Sequence, residues 1–337
     1  MILDSVSQFV LGSAVTAASL GTRVPAWRAV VYGGVLGTLP DLDILIDHGD
    51  AILNMTMHRG SSHALFWLTL VSPVVALAIA GAHRERSLFR RWWLAVWLTF
   101  VTHAMLDAMT IYGTRLWLPF DEQPVSIGSL FVIDPLYTLP LLAGSVALLV
   151  ARGRPFGRRW NWWGIGLSTL YAAWSLGVQL HLDGAARAAL KGRGIAADKV
   201  IVSPAPRQTV LWRVVAIADN GQTIYEGFTS LADDDEPITF AAIERRPALL
   251  DELSKIQVVR QLRAFADDCV KAVAVEDEAF VVDLRMGAEP NYAFTFLVAR
   301  RGADGSWQPT VATERRAFAV GEGQGLAWLW RRLWGER

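Results

Sequence analysis

Apolar runs of membrane length recur through the first 181 residues, and all but two of the arginines there fall in alternate connections between them. Residues 63–82, 92–111, 135–151 and 160–180 are the long runs. At about 1.5 Å per residue, such a run as a helix crosses most or all of a hydrocarbon core of about 30 Å. Two shorter runs, 5–20 and 26–39, come first, and the small residues of the former suit close helix packing. Arg23, Arg28, Arg84, Arg86, Arg90, Arg91, Arg152, Arg154, Arg158 and Arg159 occupy one set of connections. The other set within this half holds only Arg59 and Arg115. The positive-inside rule puts the first set in the cytoplasm. The expectation is an α-helical membrane domain over 1–181, with about six helices of which at least four span.

Composition agrees with a membrane chain: 53% of the 337 residues are hydrophobic, and many of the fifteen tryptophans stand at the ends of apolar runs like interfacial anchors. Lysine plus arginine balance aspartate plus glutamate at 32 each, so no global basic field points to nucleic acid. Cys269 is the lone cysteine, which excludes an intramolecular disulfide and a thiolate-rich zinc centre. The N-terminal run lacks a basic lead-in and a small-residue cleavage site, and no cleaved signal peptide is expected.

Beyond Leu180 the pattern changes. Residues 182–193 read as a helical connector, and Val210–Ile217 and Thr223–Phe228 flank Asp219-Asn220-Gly221, a hairpin turn signal. One helix is predicted over Pro247–Asp267 from apolar residues at helical spacing, followed by strands at Val270–Val275, Ala279–Met286 and Tyr292–Arg300. Residues 182–337 are thus expected to form a small extramembrane α+β domain with an antiparallel sheet, on the extracytoplasmic side by span count. Trp328, Trp330, Arg331, Arg332 and Trp334 fit a terminal amphipathic helix, lying on the membrane or packed on its own domain.

The polar residues of the membrane half gather at one face. His103 and Asp107 stand four apart, neighbours on a helix surface. An aspartate at mid-bilayer costs about 2.5 to 3.5 kcal/mol, so something must offset it. A hydrogen-bonded pair tying two helices would do so, as would a cation. The charge pattern puts Gln8, Asp41, Asp43, His58, His63, His103, Asp107 and Asp134 on the same outward side. Asp41 and Asp43 follow Leu39-Pro40 and can enter one pocket if the backbone there is extended. Gly60, Ser61 and Ser62 permit a turn between His58 and His63 and a cap for the helix that follows. Imidazoles with carboxylates and no thiolate favour zinc or manganese over calcium or magnesium, as one or two ions. Arg59 has the fork to hold a phosphate, or else pairs with Asp47 or Asp50. Gln8 orients a water or bonds across helices. Asp134, before Pro135, reads first as an N-cap. Ser61 or Ser62 with His63 would make a serine hydrolase, but no nucleophile elbow surrounds them.

These motifs resemble the inner-membrane metal-dependent hydrolases of the YdjM type, some of them LexA-regulated. The matching stretches are Asp4-Ser5-Val6-Ser7-Gln8, Gly37-Thr38-Leu39-Pro40-Asp41-Leu42-Asp43, His58-Arg59-Gly60-Ser61-Ser62-His63, His103-Ala104-Met105-Leu106-Asp107, and Phe131 to Tyr137. The tail's Leu211-Trp212-Arg213-Val214-Val215 is similar to longer members. Where many members carry an N-terminal histidine, this chain has Gln8. The resemblance implies a multi-pass protein of the bacterial inner membrane with Asp41, Asp43, His58, His63, His103 and Asp107 as metal ligands. The expected function is hydrolysis of a phosphoester in a small-molecule or lipid-like substrate by a metal-bound hydroxide, with Arg59 and Gln8 assisting. The alternative is a non-catalytic scaffold with a structural metal. A transporter is disfavoured, because the polar residues lie at one face rather than along a path.

Overall fold

The computed structural model describes residues 2–233, 237–316 and 326–335. The helices are α1 (Ile2–Leu20), α2 (Ala26–Thr38), α3 (Ala51–Met57), α4 (Leu65–Ala82), α5 (Phe89–Ala108), α6 (Pro135–Val150) and α7 (Pro155–Gly192). Strands β1 (Ala197–Pro204), β2 (Leu211–Ala218), β3 (Thr223–Ser230) and β4 (Phe240–Glu244) follow, then α8 (Pro247–Leu253) and α9 (Gln257–Phe265). Strands β5 (Val270–Val275), β6 (Glu278–Ala288), β7 (Asn291–Arg301) and β8 (Trp307–Arg315) precede α10 (Leu326–Leu333). The chain divides into two compact units, one of residues 1–45, 59–177 and 206–208, the other of 46–58, 178–205 and 209–337. A helical region is thus followed by two antiparallel four-stranded sheets, and the short segment 46–58 belongs with the latter.

In the first unit α1 and α2 pack backbone to backbone. A Cβ on Gly12 would stand 2.2 Å from the Gly33 carbonyl oxygen, and one on Gly37 would stand 2.4 Å from that of Gln8. Only glycine allows this approach, the usual way helices pack where the surroundings are as apolar as the side chains. Polar side chains then bond across helices: Ser13 Oγ donates to the Val30 carbonyl at 2.8 Å, Thr16 and Thr99 hydroxyls meet at 2.8 Å, and Ser168 Oγ donates to the Tyr137 carbonyl at 2.6 Å. The outer faces are apolar, with Val35, Leu70, Val74, Leu77, Leu139, Val146 and Leu170 exposed.

Among the described helices, α4 alone is both long and apolar enough to cross a membrane by length and composition, while Ser5–Leu20 and α6 are apolar but shorter. Helix α5 begins with Arg90 and Arg91 and closes with His103 and Asp107, and α7 runs on through Asp183 and Arg187.

In the second unit the strand orders are β1-β2-β3-β4 and β5-β6-β7-β8. Every residue of β2 is buried, since Trp212, Val214 and Ala216 pack under Leu182, Ala186 and Leu190 while Val215 and Ile217 pack against Val282 and Leu284. The β2–β3 hairpin turns through Asp219, Asn220 and Gly221, all with positive φ, as expected. Segment 46–58 is fixed by Asp50, which caps α3 and accepts the Thr313 N–H at 2.7 Å, and by Thr56, which accepts from Gln261 Nε2 at 2.9 Å.

One expectation changes, and one that was open is decided. The helix over Pro247–Asp267 is split at Ser254–Ile256, where Arg260 donates to the carbonyls of Ser254 and Lys255 and Ile256 turns extended. The apolar spacing persists across this break, with Leu250, Leu253, Val259, Leu262 and Phe265 all buried. The C-terminal helix α10 packs on its own domain. Arg332 pairs with Asp233 at 2.5 Å, and Trp328 stands edge-on to Phe228.

Candidate metal centre

Pro40 ends α2, and Pro40–Leu45 continues as a 3₁₀ turn rather than an extended strand. With three residues per turn, positions two apart point to different sides. Asp41 and Asp43 therefore straddle the ring of His63 instead of entering one pocket together. Asp41 Oδ1 lies 3.3 Å from Nε2, and Asp43 Oδ2 lies 3.8 Å from Nδ1. Asp43 also accepts the Arg59 N–H at 3.0 Å and the Ser62 hydroxyl at 2.5 Å. It thereby holds the Arg59–His63 turn, in which Arg59 takes a left-handed φ of 60°.

From α5 come His103 and Asp107, one turn apart and both buried. His103 Nδ1 lies 2.7 Å from the carbonyl oxygen of Gly37. That carbonyl belongs to the last turn of α2, where the helix has no N–H left to offer it. Asp107 divides its two oxygens. Oδ1 accepts from Gln8 Nε2 at 2.9 Å and pairs with Arg59 NH2 at 3.1 Å. Oδ2 is buried without a hydrogen-bond partner, 3.1 Å from His63 Nε2 and 3.4 Å from His103 Nε2.

The partners fix the ring protons. A carbonyl only accepts, so His103 carries its proton on Nδ1. The Ser62 hydroxyl spends its hydrogen on Asp43, so at 2.9 Å it accepts from His63 Nδ1–H. Both neutral rings then present a bare Nε2, and these atoms face each other at 3.0 Å. With Asp41 Oδ1 and Asp107 Oδ2 they make four acceptors and no donor. The donor atoms of Asp41, His63, His103 and Asp107 all lie within 4.8 Å of one another. Such a set repels itself unless a cation lies among it. Two imidazoles and two carboxylates without thiolate fit zinc or manganese. His63, His103 and Asp107 are buried, and Asp41, at 15% side-chain exposure, forms the accessible edge.

The remaining expected site residues lie around this group or away from it. Asp43 faces the far nitrogen of His63. His58 follows α3 in the second unit and is not among the four. Arg59 is 2% exposed, and its guanidinium is engaged by Asp107 and by Thr110 Oγ1 at 3.2 Å. The alternative partners Asp47 and Asp50 bind Asn54 and the N-terminus of α3 instead. Gln8 reaches Asp107 across helices. Asp134 caps α6 and accepts the Tyr171 hydroxyl at 2.8 Å, while burial pushes its pKa up. Ser62 is a link between Asp43 and His63. Thr110 was missed by sequence reasoning, although a threonine three residues after a helical aspartate can bond back to the helix. It does so, donating to the Asp107 carbonyl at 2.7 Å. Gly37 acts through its backbone, which residue type cannot signal.

No curated protein matches the chain, and no solved structure does. A family described as YdjM inner membrane protein has a model that matches residues 3–182, more than half of the chain and the whole stretch from Gln8 to Asp107. With the helical region, the four converging ligand atoms and this match, the chain belongs to the YdjM inner membrane protein family.

Proposed function

We propose that this protein is a membrane-bound metal-dependent hydrolase acting on a phosphoester of a lipid-like substrate at the outward face of the inner membrane. The observation that carries the reading is the convergence of four lone-pair donors without a proton to share, one of them at an accessible edge. Asp41, His63, His103 and Asp107 would hold one divalent ion, zinc or manganese. When bound, such an ion supplies Lewis-acid stabilisation of charge on a phosphoryl oxygen. The chain's own residues position the ligands. Ser62 and the Gly37 carbonyl hold each imidazole with Nε2 bare. Gln8 and Arg59 hold Asp107 with one oxygen inward, and Arg59 offsets its buried charge. In this reading Arg59 and Gln8 are positioning residues, and Asp43 acts through Arg59, Ser62 and His63. Substrate would approach past Asp41, since the other three side chains are closed off.

A second reading has its own support. Four protein donors complete a tetrahedral zinc, and closed zinc sites are structural, whereas an octahedral manganese keeps two positions for substrate or water. Under that reading the metal only secures the helices of a scaffold.

The multi-pass arrangement, with the C-terminal domain outside the cytoplasm, is also our proposal. It is supported by the alternation of the arginines and by the apolar outer faces of α4, α6 and α7. A reporter fused at residue 200 tests the side.

Full-length protein in lipid nanodiscs, loaded with zinc or manganese, separates the two functions by metal content and by turnover of a chromogenic phosphodiester. Hydrolysis by the wild type, and its loss with the metal in His103→Ala, is expected. One tightly held ion per chain with no turnover under either metal would leave the scaffold reading standing instead.

A further inference from the structure

The end of the first unit away from the metal centre carries the ten arginines named above, with Glu85 the only acid in those three connections. Glu85 is paired to Arg28 at 2.5 Å. At this end a cleft of about 120 Å³ opens between the end of α1 and the start of α7, bordered by Thr22, Leu148, Arg158, Asn161 and Trp162. Two of these residues are built for a partner the chain does not provide. Arg158 is half-buried, and its Nε donates to the Gly153 carbonyl at 2.9 Å, but it has no carboxylate partner among the described residues. Asn161 is 2% exposed, and its Nδ2 donates to the Ala14 carbonyl at 3.0 Å, whereas its Oδ1 has no hydrogen-bond partner. Leaving a buried amide oxygen unmatched is costly, and native proteins rarely do so without a ligand or water to fill the place. The cleft therefore offers a cation for an anion and an acceptor for a donor, side by side.

The surroundings say what kind of molecule brings both. Trp160, Trp162 and Trp163 at the start of α7 are exposed, as is Trp27 at the start of α2. Exposed indoles beside arginines mark the headgroup level of a bilayer. Basic clefts between helices at that level suit acidic lipid headgroups. We propose that this cleft binds the headgroup of an anionic glycerophospholipid of the phosphatidylglycerol kind. Arg158 pairs with the phosphate, and a headgroup hydroxyl donates to Asn161 Oδ1. Phosphatidylcholine has the phosphate but no hydroxyl or N–H donor, and inorganic phosphate has no anchoring chains. This site is separate from the metal centre and does not rest on its catalytic reading.

Native mass spectrometry of the full-length protein, released from nanodiscs of phosphatidylglycerol mixed with phosphatidylcholine, tests the proposal. The wild type is expected to keep one phosphatidylglycerol preferentially. Arg158→Gln should weaken retention by about tenfold, the scale of one charge-assisted hydrogen bond. Thr22→Trp, at an exposed rim position, should block the cleft with a similar loss while sparing the buried packing. Arg159→Gln, next to the site but exposed, should retain lipid as the wild type does. Three results would each overturn the proposal: equal loss in Arg158→Gln and Arg159→Gln, showing diffuse basic attraction; equal retention of phosphatidylcholine; or displacement of the lipid by millimolar inorganic phosphate.

Discussion

Gln8 on α1 donates from Nε2 to Asp107 Oδ1 on α5 at 2.9 Å, across 99 residues of sequence. Outer partners of this kind orient a ligand and sharpen its basicity, and losing one typically lowers metal affinity by about 10- to 100-fold. Gln8→Leu keeps the volume and removes the donor. Its affinity for zinc, read by competition with a chromogenic chelator, should fall within that range while the helical circular dichroism stays unchanged. An unaltered affinity would mean that Asp107 needs no help from α1.

Arg59 and Asp107 form a buried ion pair at 3.1 Å, with side chains 3% and 1% exposed. Removing one partner of such a pair leaves a charge stranded, at a cost of about 3–5 kcal/mol. Arg59→Ala should thus destabilise the helical unit by that order, seen as a lowered thermal midpoint of the purified protein. Arg59→Ala combined with Asp107→Asn should recover part of the loss and bind metal poorly. If the single variant melts like the wild type, the pair contributes nothing to the fold.

Gly37 has two tasks, since its carbonyl accepts from His103 and its missing Cβ lets Gln8 come close. Gly37→Ala would force α1 and α2 apart at backbone, where nothing can rotate away. The expected result is a loss of metal affinity larger than that of Gln8→Leu, with His103 still present. Gly81→Ala, where a Cβ meets open space, is the control and should behave as the wild type.

The second unit should be sensitive to acid through Asp268. Burial raises the pKa of this carboxyl, but hydrogen bonds from Arg263 Nε at 2.7 Å and Arg245 NH2 at 2.5 Å outweigh it and hold it below the usual range. A carboxylate whose pKa is lowered in the folded state adds stability above its unfolded value, and loses it as pH falls through the folded one. Amide exchange in β5 should therefore be slower in the wild type than in Asp268→Asn at neutral pH. The gap should close toward strong acid. A gap that widens on acidification would contradict the assignment.

What the sequence discloses here depends on how local each cause is. The cap at Asp134, the turn at Asp219-Asn220-Gly221 and the His103–Asp107 spacing each rest on a few neighbouring residues, and they can be read directly. His58 and His63 look equivalent in sequence because both flank the same turn, and only the fold assigns one to each unit. Asp41 and Asp43 look alike in sequence for a similar reason, since extended backbone and a 3₁₀ turn aim them differently. Strands β1, β4 and β8 do not stand out in the sequence, and β4 and β8 have largely exposed faces with weak alternation. The number of spans is legible only in part. Helices α5 and α7 mix arginine or polar residues into their apolar stretches, and α4 is the clear case.

The split duty of Asp107 has a consequence for how the centre is filled. One carboxylate oxygen is anchored by the polypeptide alone, so this ligand would stand in place before an ion arrives, the ion relieving the repulsion among the other donors, and folding and loading would be separate events. A centre of this kind can be emptied by a chelator and recharged without unravelling the helices. Its occupancy would then track the supply of ions around the cell envelope rather than the history of the chain's synthesis.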